Sequence, residues 1–246
     1  MKIKLEICTA SPEDCLAAER GGADRVELNC GLMLGGLTPS LGSLRESLAA
    51  IRIPLIAMIR PRAGGFGYSA SEFKVMQRDA ELALAEGAAG IAFGILTPSG
   101  TVDLERCGQI QKLCSGREVI FHRAFDVVPD PLAALDRLVD LGITRVMTSG
   151  QEASAYNGAV NIAAFIRHAA TRIEILPAGG INRFTVADVV SRTGCDQIHA
   201  SLSTTRKDGS VLARPQVSFG GTLKPPEDEF PLTDGDAVGK LRQALG

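Results

Sequence analysis

The chain has 246 residues, with 26 Lys and Arg against 28 Asp and Glu, a formal net charge of −2 at pH 7. At 45% hydrophobic and 22% charged residues the composition is ordinary globular, which excludes disordered, collagen-like and coiled-coil chains. A pI near 6.0 leaves no electrostatic footprint for nucleic acid or an anionic membrane, and no apolar run approaches the ~18–20 residues of a membrane span.

The opening residues, Met1 to Glu6, are charged at every second position and lead into no signal-peptide core, so a cytoplasmic protein is expected. Six cysteines, at 8, 15, 30, 107, 114 and 195, show neither CxxC nor a disulfide-framework spacing and read as reduced thiols. Cys15, Cys107 and Cys114 fall at helical packing spacing and are expected to act as small hydrophobes.

Strand-like and helix-like segments alternate from the start. Ile3 to Cys8 predicts a strand, and Ser11-Pro12-Glu13-Asp14 supplies an N-cap, a proline for the first turn and acids for the positive end of a helix that Gly21-Gly22 closes. Arg25 to Leu28 is the second strand, and Thr38-Pro39 opens a helix to about Ala50. A third strand spans Leu55 to Arg60, and Ser69-Ala70-Ser71-Glu72 is a capping box for a helix ending before Gly87.

Gly90 to Leu96 is the fourth strand, followed by a helix capped by Asp103 with Leu104, Cys107, Ile110 and Cys114 on one stripe. Glu118 to Arg123 is the fifth, followed by a helix from Asp130-Pro131 with Leu132, Leu135 and Leu138 inward. Arg145 to Thr148, Glu174 to Pro177 and Gln197 to Ala200 complete the strands, separated by a helix carrying Ile162, Phe165, Ile166 and Ala169 and by one that Asn182 caps, with Val186, Val189 and Val190 buried. Residues 203–232, including Lys224-Pro225-Pro226, read as loop, and Asp234 to Leu245 as a last helix.

Strands separated by helices require parallel pairing through right-handed crossovers. Eight such units predict a single-domain (β/α)8 TIM barrel over about residues 1–202, with a C-terminal extra loop and helix to 246, in preference to an open doubly wound sheet.

Helices must cover the apolar side of each strand, so alternation sends Glu6 and Glu27 into the barrel, places Arg60 on the face of Ile56 and Met58, and pairs His122 with Ile120. His199 ends the eighth strand. Charges buried at one mouth must be paired or hold something. One reading is a structural ion network, Glu6 to Arg60 and Glu27 to Arg62. The other is a site at the C-terminal mouth, where barrel enzymes keep their chemistry.

The loops suit a small phosphate- or carboxylate-bearing molecule. Arg60 and Arg62 would clamp the anion, Ser149 adds a hydroxyl donor, and Gly179-Gly180 offers backbone N–H groups at a helix start. His122, oriented by Asp126, would serve as acid or base, with Glu6, Glu27 and His199 as further catalytic candidates. Glu6, Glu27, His122 and His199 also have the ligand types for a divalent metal. Cys8 and Cys30 end neighbouring strands, where two thiolates would suit Cu(I). They lie two residues past Glu6 and three past Glu27, so regular strands would point one sulfur inward and the other away.

Leu5-Glu6-Ile7-Cys8, Gly22 to Leu28, Gly35-Gly36-Leu37-Thr38-Pro39-Ser40, Ile59-Arg60-Pro61-Arg62, Phe121-His122-Arg123-Ala124-Phe125-Asp126 and Thr148-Ser149-Gly150-Gln151 together resemble the CutC family of copper homeostasis proteins. The resemblance implies a cytoplasmic, oligomeric TIM barrel associated with copper tolerance and Cu(I) binding. It also implies Cys8 and Cys30 as the copper ligands.

Overall fold

A computed structural model describes residues 2–221 and 225–246 of the chain. Its first eight strands are β1 (Lys4–Thr9), β2 (Arg25–Leu28), β3 (Leu55–Met58), β4 (Gly90–Phe93), β5 (Glu118–Phe121), β6 (Arg145–Thr148), β7 (Glu174–Pro177) and β8 (Gln197–Ala200). They pair in parallel in the order β8-β1-β2-β3-β4-β5-β6-β7. At the seam β7 lies beside β8, and a side-chain bond from Gln197 Nε2 to the Glu174 carboxylate, 3.1 Å, bridges them. The predicted TIM barrel is present and the open sheet is not.

The helices begin where the polar residues said they would. In α1 (Pro12–Arg20) the Ser11 hydroxyl accepts from the Asp14 N–H at 3.1 Å, and in α3 (Ala70–Ala85) Ser69 and Glu72 form both bonds of the capping box. Asp103 caps α4 (Leu104–Leu113) and Asp130 caps α5 (Pro131–Asp140) in the same manner. Each such cap stabilises its helix by about 1 kcal/mol. The second helix, α2 (Leu41–Ala50), starts at Ser40 instead of Thr38-Pro39, because the Thr38 hydroxyl and N–H are engaged by the Arg60 backbone.

Two further corrections concern stripes. Leu104 and Leu132 are exposed, each in the first turn of its helix, beyond the reach of the strands that bury Cys107 and Leu135. In α7 (Val186–Thr193), Val190 is half-buried, and Thr185, not Asn182, precedes the first turn; the Asn182 carboxamide accepts from Phe184 N–H instead.

The C-terminal stretch read as loop contains an antiparallel hairpin, β9 (Ser203–Lys207) with β10 (Glu229–Thr233), before the predicted last helix, α8 (Gly235–Ala244). β9 carries no apolar residue and β10 only Phe230 and Leu232 about Pro231, which hid the strands; Thr233 N–H donating to Asp14 ties the hairpin to α1. Lys224 of that stretch lies outside the described residues. Val238 and Leu241 of α8 are buried, and Arg242 reaches the Ile3 carbonyl at 2.8 Å, so the helix plugs the side of the barrel.

Alternation along the strands separates two apolar groups. Leu5, Ile7, Val26, Leu28, Ile91, Phe93, Val146 and Ile198 pack between strands and helices, together with α6 (Ala159–Ala169) and the other helices. Ile56, Met58, Ala92, Ile120, Met147, Leu176 and Ala178 fill the barrel's centre. Strand parity therefore puts the polar residues of β1, β2, β6, β7 and β8 inside, above and below this plug.

Candidate ligand site at the C-terminal mouth

Below the plug, the barrel is closed by ions. Arg25 bonds to Glu6 and, at 3.1 Å, to the Gln197 carboxamide; Arg145 lies 2.7 Å from both Glu118 and Glu174. This network replaces the pairs expected at the mouth. Glu6 meets Arg25 rather than Arg60, and Arg62 turns outward to Glu72 at 2.5 Å rather than inward to Glu27.

Above the plug lies a cavity of about 460 Å³. Cys8, Glu27, His199 and Ser201 line one side, and Arg60, Phe66 and His122 another, with Met58 and Met147 between them and Arg123 and Asp126 at the rim. A Cys8 sulfur, a Glu27 oxygen and a His199 ring nitrogen all lie within 4.8 Å of one another, contributed by β1, β2 and the end of β8. Soft, hard and borderline donors thus meet at one point, a set able to hold a single transition-metal ion.

His199 is the hinge between this trio and the ion network. Its Nδ1 is 2.7 Å from Glu6, leaving Nε2, 3.9 Å from Glu27, directed at the mouth. A carboxylate behind a histidine is the arrangement that orients metal-binding imidazoles. Burial alone would lower the His199 pKa, but Glu27 and the bonds to Cys8 and Glu6 raise it well above the usual value. Burial alone would raise Glu6; Arg25 and His199 outweigh it and hold that carboxyl below the ordinary range. Glu27 is pushed up, by burial first and by the Glu6 charge, against the opposing charge of His199. Burial likewise pushes the Cys8 thiol up.

Cys30 is not part of this group. Its sulfur donates to the Thr38 carbonyl at 3.1 Å, in the bridge between residues 30 and 37, and it lines no part of the cavity. The expected thiolate pair is therefore not brought together: β2 stays regular to Leu28, and three residues after Glu27 is the outward parity. Cys15, Cys107 and Cys114 are buried among apolar groups, as their spacing suggested, and burial pushes Cys107 to about 12.

His122 and Asp126 also depart from expectation. β5 ends at Phe121, and His122 caps a short 3-10 turn, its Nδ1 accepting from Ala124 N–H at 3.1 Å. That bond puts the ring proton on Nε2, which is buried and has no partner among the described residues. Burial, then the positive charge of Arg60, lowers its pKa to about 3, so it does not titrate near neutrality. Asp126 does not orient it. That carboxylate instead accepts from Thr148 Oγ1 at 2.5 Å, from the Ser149 N–H and hydroxyl at 3.0 Å, and from Arg123 at 2.7 Å.

Ser149 is fully buried in this lock and lines no part of the cavity. Gly179 and Gly180 form a turn several residues ahead of α7 and lie outside the cavity as well. Of the proposed anion-binding residues only Arg60 reaches it.

Residues that sequence reasoning passed over complete the mouth. Asn29 donates to Glu27 at 3.0 Å. Gly36 and Gly94 admit their neighbours: a Cβ on Gly36 would fall 2.5 Å from the Asn29 carboxamide oxygen, and one on Gly94 2.5 Å from the His122 ring. Phe66 lies against His122 at 5.1 Å between ring centroids. Met58 was placed inward by strand parity, and Met147 joins it in the lining; the loop residues carried no local signal.

Fold and site together define a TIM-barrel protein whose interior is polar at both ends and whose C-terminal mouth opens on a mixed thiol, carboxylate and imidazole group. The CutC family model matches residues 3–204. A CutC family protein of Treponema denticola is 48% identical over 243 residues, 99% of each chain. The human protein named copper homeostasis protein cutC homolog is 42% identical over 96% of this chain and 87% of its own. The crystal structure of a CutC protein from Streptococcus agalactiae superposes with a TM-score of 0.76 at 33% identity, covering 80% of this chain and 97% of that one. The chain belongs to the CutC family.

Proposed function

We propose that this CutC protein serves copper homeostasis by binding Cu(I) at the C-terminal mouth, with Cys8 and His199 as ligands and Glu27 beside them. The observation that carries the reading is the convergence of those three donor atoms within 4.8 Å from three strands. A thiolate is the donor Cu(I) favours, and the Met58 and Met147 side chains bring thioethers to the same cavity. Glu6 behind His199 supports the reading further, since it holds the ring with Nε2 free to face an ion. The same donors suit Zn2+, whose structural and catalytic sites use thiolate, imidazole and carboxylate together. The divalent-metal set expected from ligand type shrinks to Glu27 and His199, because Glu6 is engaged by Arg25 and His122, on another wall of the cavity, is not in the donor group.

A competition titration of Cu(I) against a colorimetric chelator, under reducing conditions, tests this. Cys8→Ala and His199→Ala are expected to lose binding, and Cys30→Ala to keep it; retention by Cys8→Ala, or a loss confined to Cys30→Ala, overturns the assignment. Zn2+ titrated in parallel distinguishes the metals. The family reading also carries a cytoplasmic location and a homo-oligomer, the latter expected to sediment well above the 25.9 kDa of one chain.

A further inference from the structure

Across the cavity from the sulfur stands a second unsatisfied group. Arg60 is 7% exposed, and its guanidinium donates to three loop carbonyls: Leu34 at 3.0 Å, Gly36 at 3.1 Å and Gly64 at 2.8 Å. Among the described residues no carboxylate lies within 4.0 Å of it, and its Nε–H is buried without an acceptor. Most other buried charges in this protein have an opposite charge in contact. His122, 4% exposed, lines the same side with its Nε2–H likewise unpartnered, and the Phe66 ring, 5.3 Å from the Arg60 guanidinium, flanks both. A buried cation without a counter-charge is costly, as is each orphaned donor. Two donors, one of them charged, on residues that line one cavity specify an acceptor that brings negative charge.

The geometry points to a binding site for a small organic oxyanion, a phosphate ester or carboxylate, whose oxygens take the Arg60 Nε–H and the His122 Nε2–H. Phe66 supplies an apolar wall. The third orphan of the cavity, Glu27 Oε1, is an acceptor, so the ligand carries a hydroxyl for it. A cavity of about 460 Å³ has room for a molecule of sugar-phosphate size. This site uses neither Cys8 nor the His199 ring; it shares only Glu27 with the copper reading, and its two anion donors lie outside that group. It also narrows the expected anion clamp to Arg60 with His122, since Arg62 is held by Glu72.

The test is calorimetric titration of EDTA-treated protein with ribose 5-phosphate, glycerol 3-phosphate, gluconate and citrate, with ribose and glycerol as neutral counterparts. At least one anion is expected to bind more tightly than about 1 mM, with its neutral counterpart weaker by at least about tenfold. The phosphate and carboxylate arms separate the two ligand chemistries. His122→Asn keeps an acceptor for Ala124 N–H while removing Nε2–H, and is expected to weaken binding at least about tenfold; Arg60→Lys keeps the charge and removes Nε–H, with the same result. Cys30→Ala, outside the cavity, is expected to bind like the natural protein. The inference is overturned if no anion binds, if neutral sugars bind as well as anions, or if a folded variant of His122 or Arg60 binds at undiminished strength. Should Arg60→Lys fail to fold, for want of its carbonyl contacts, His122→Asn decides.

Discussion

The two ends of the barrel are both polar, both buried, and chemically opposite. At the N-terminal end Arg25 and Arg145 lie among Glu6, Glu118, Glu174 and Gln197, each guanidinium facing carboxylates. At the C-terminal end, among the described residues, Arg60 has no carboxylate in contact and Glu27 Oε1, Arg60 Nε and His122 Nε2 make no hydrogen bond, around a cavity of about 460 Å³. A buried charge that meets its opposite needs no ligand, even where the pair misses hydrogen-bond geometry as between Arg145 and Glu118, whereas one without a counter-charge is held at a cost in stability that binding can offset. Polarity inside a barrel therefore does not locate a site; a buried charge without a counter-charge beside a cavity does.

The largest effect is expected at the charge-paired end. Arg25→Met leaves Glu6 buried without its guanidinium and is expected to cost about 3–5 kcal/mol in urea unfolding. A loss under 1 kcal/mol would show that the ring is ornamental to stability. At the mouth, pH draws the contrast. Because His122 is held near 3 when folded and titrates near 6.5 when unfolded, its contribution to stability is flat above about pH 6.5. It then falls as the unfolded chain takes up a proton the folded one refuses, by up to about 1.4 kcal/mol per pH unit. Between pH 7.5 and 4.5, His122→Asn is expected to lose about 2–3 kcal/mol less than the natural protein, and identical slopes would remove His122 from the account.

Gly94→Ala drives a methyl into the His122 ring and is expected to cost about 1–3 kcal/mol while weakening any anion bound beside that ring. Smallest is Arg62→Ala. Its pair with Glu72 is largely exposed, so a change of about 1 kcal/mol or less is expected, with metal and anion binding unmoved; a large binding loss would restore Arg62 to the site.

Strand parity made the inward positions of Glu6, Glu27 and His199 legible, because the helices must cover Leu5, Ile7, Val26 and Ile198. The same alternation also sends Arg25 and Arg145 inward, so the lower ring was readable from it too. Legibility ended where the strands end. β3 stops at Met58 and β5 at Phe121, so Arg60 and His122 take their partners from loops, Leu34, Gly36 and Gly64 for one and Ala124 for the other, which no periodicity encodes. Cys30 lies in the same blind region, two residues beyond β2 in a bridge to Leu37. Asp126 looked like a partner for the nearby imidazole because the 3-10 turn that rotates it toward Thr148 and Ser149 has no sequence signature.

The metal reading places copper at one spot, between the Cys8 sulfur, the His199 ring and the Glu27 carboxylate. Anomalous diffraction at the copper edge, from crystals grown anaerobically with stoichiometric Cu(I), examines that spot directly. A single peak within bonding distance of Cys8 Sγ and His199 Nε2 is the predicted result; a peak at Cys30, or crystals with none, would contradict it.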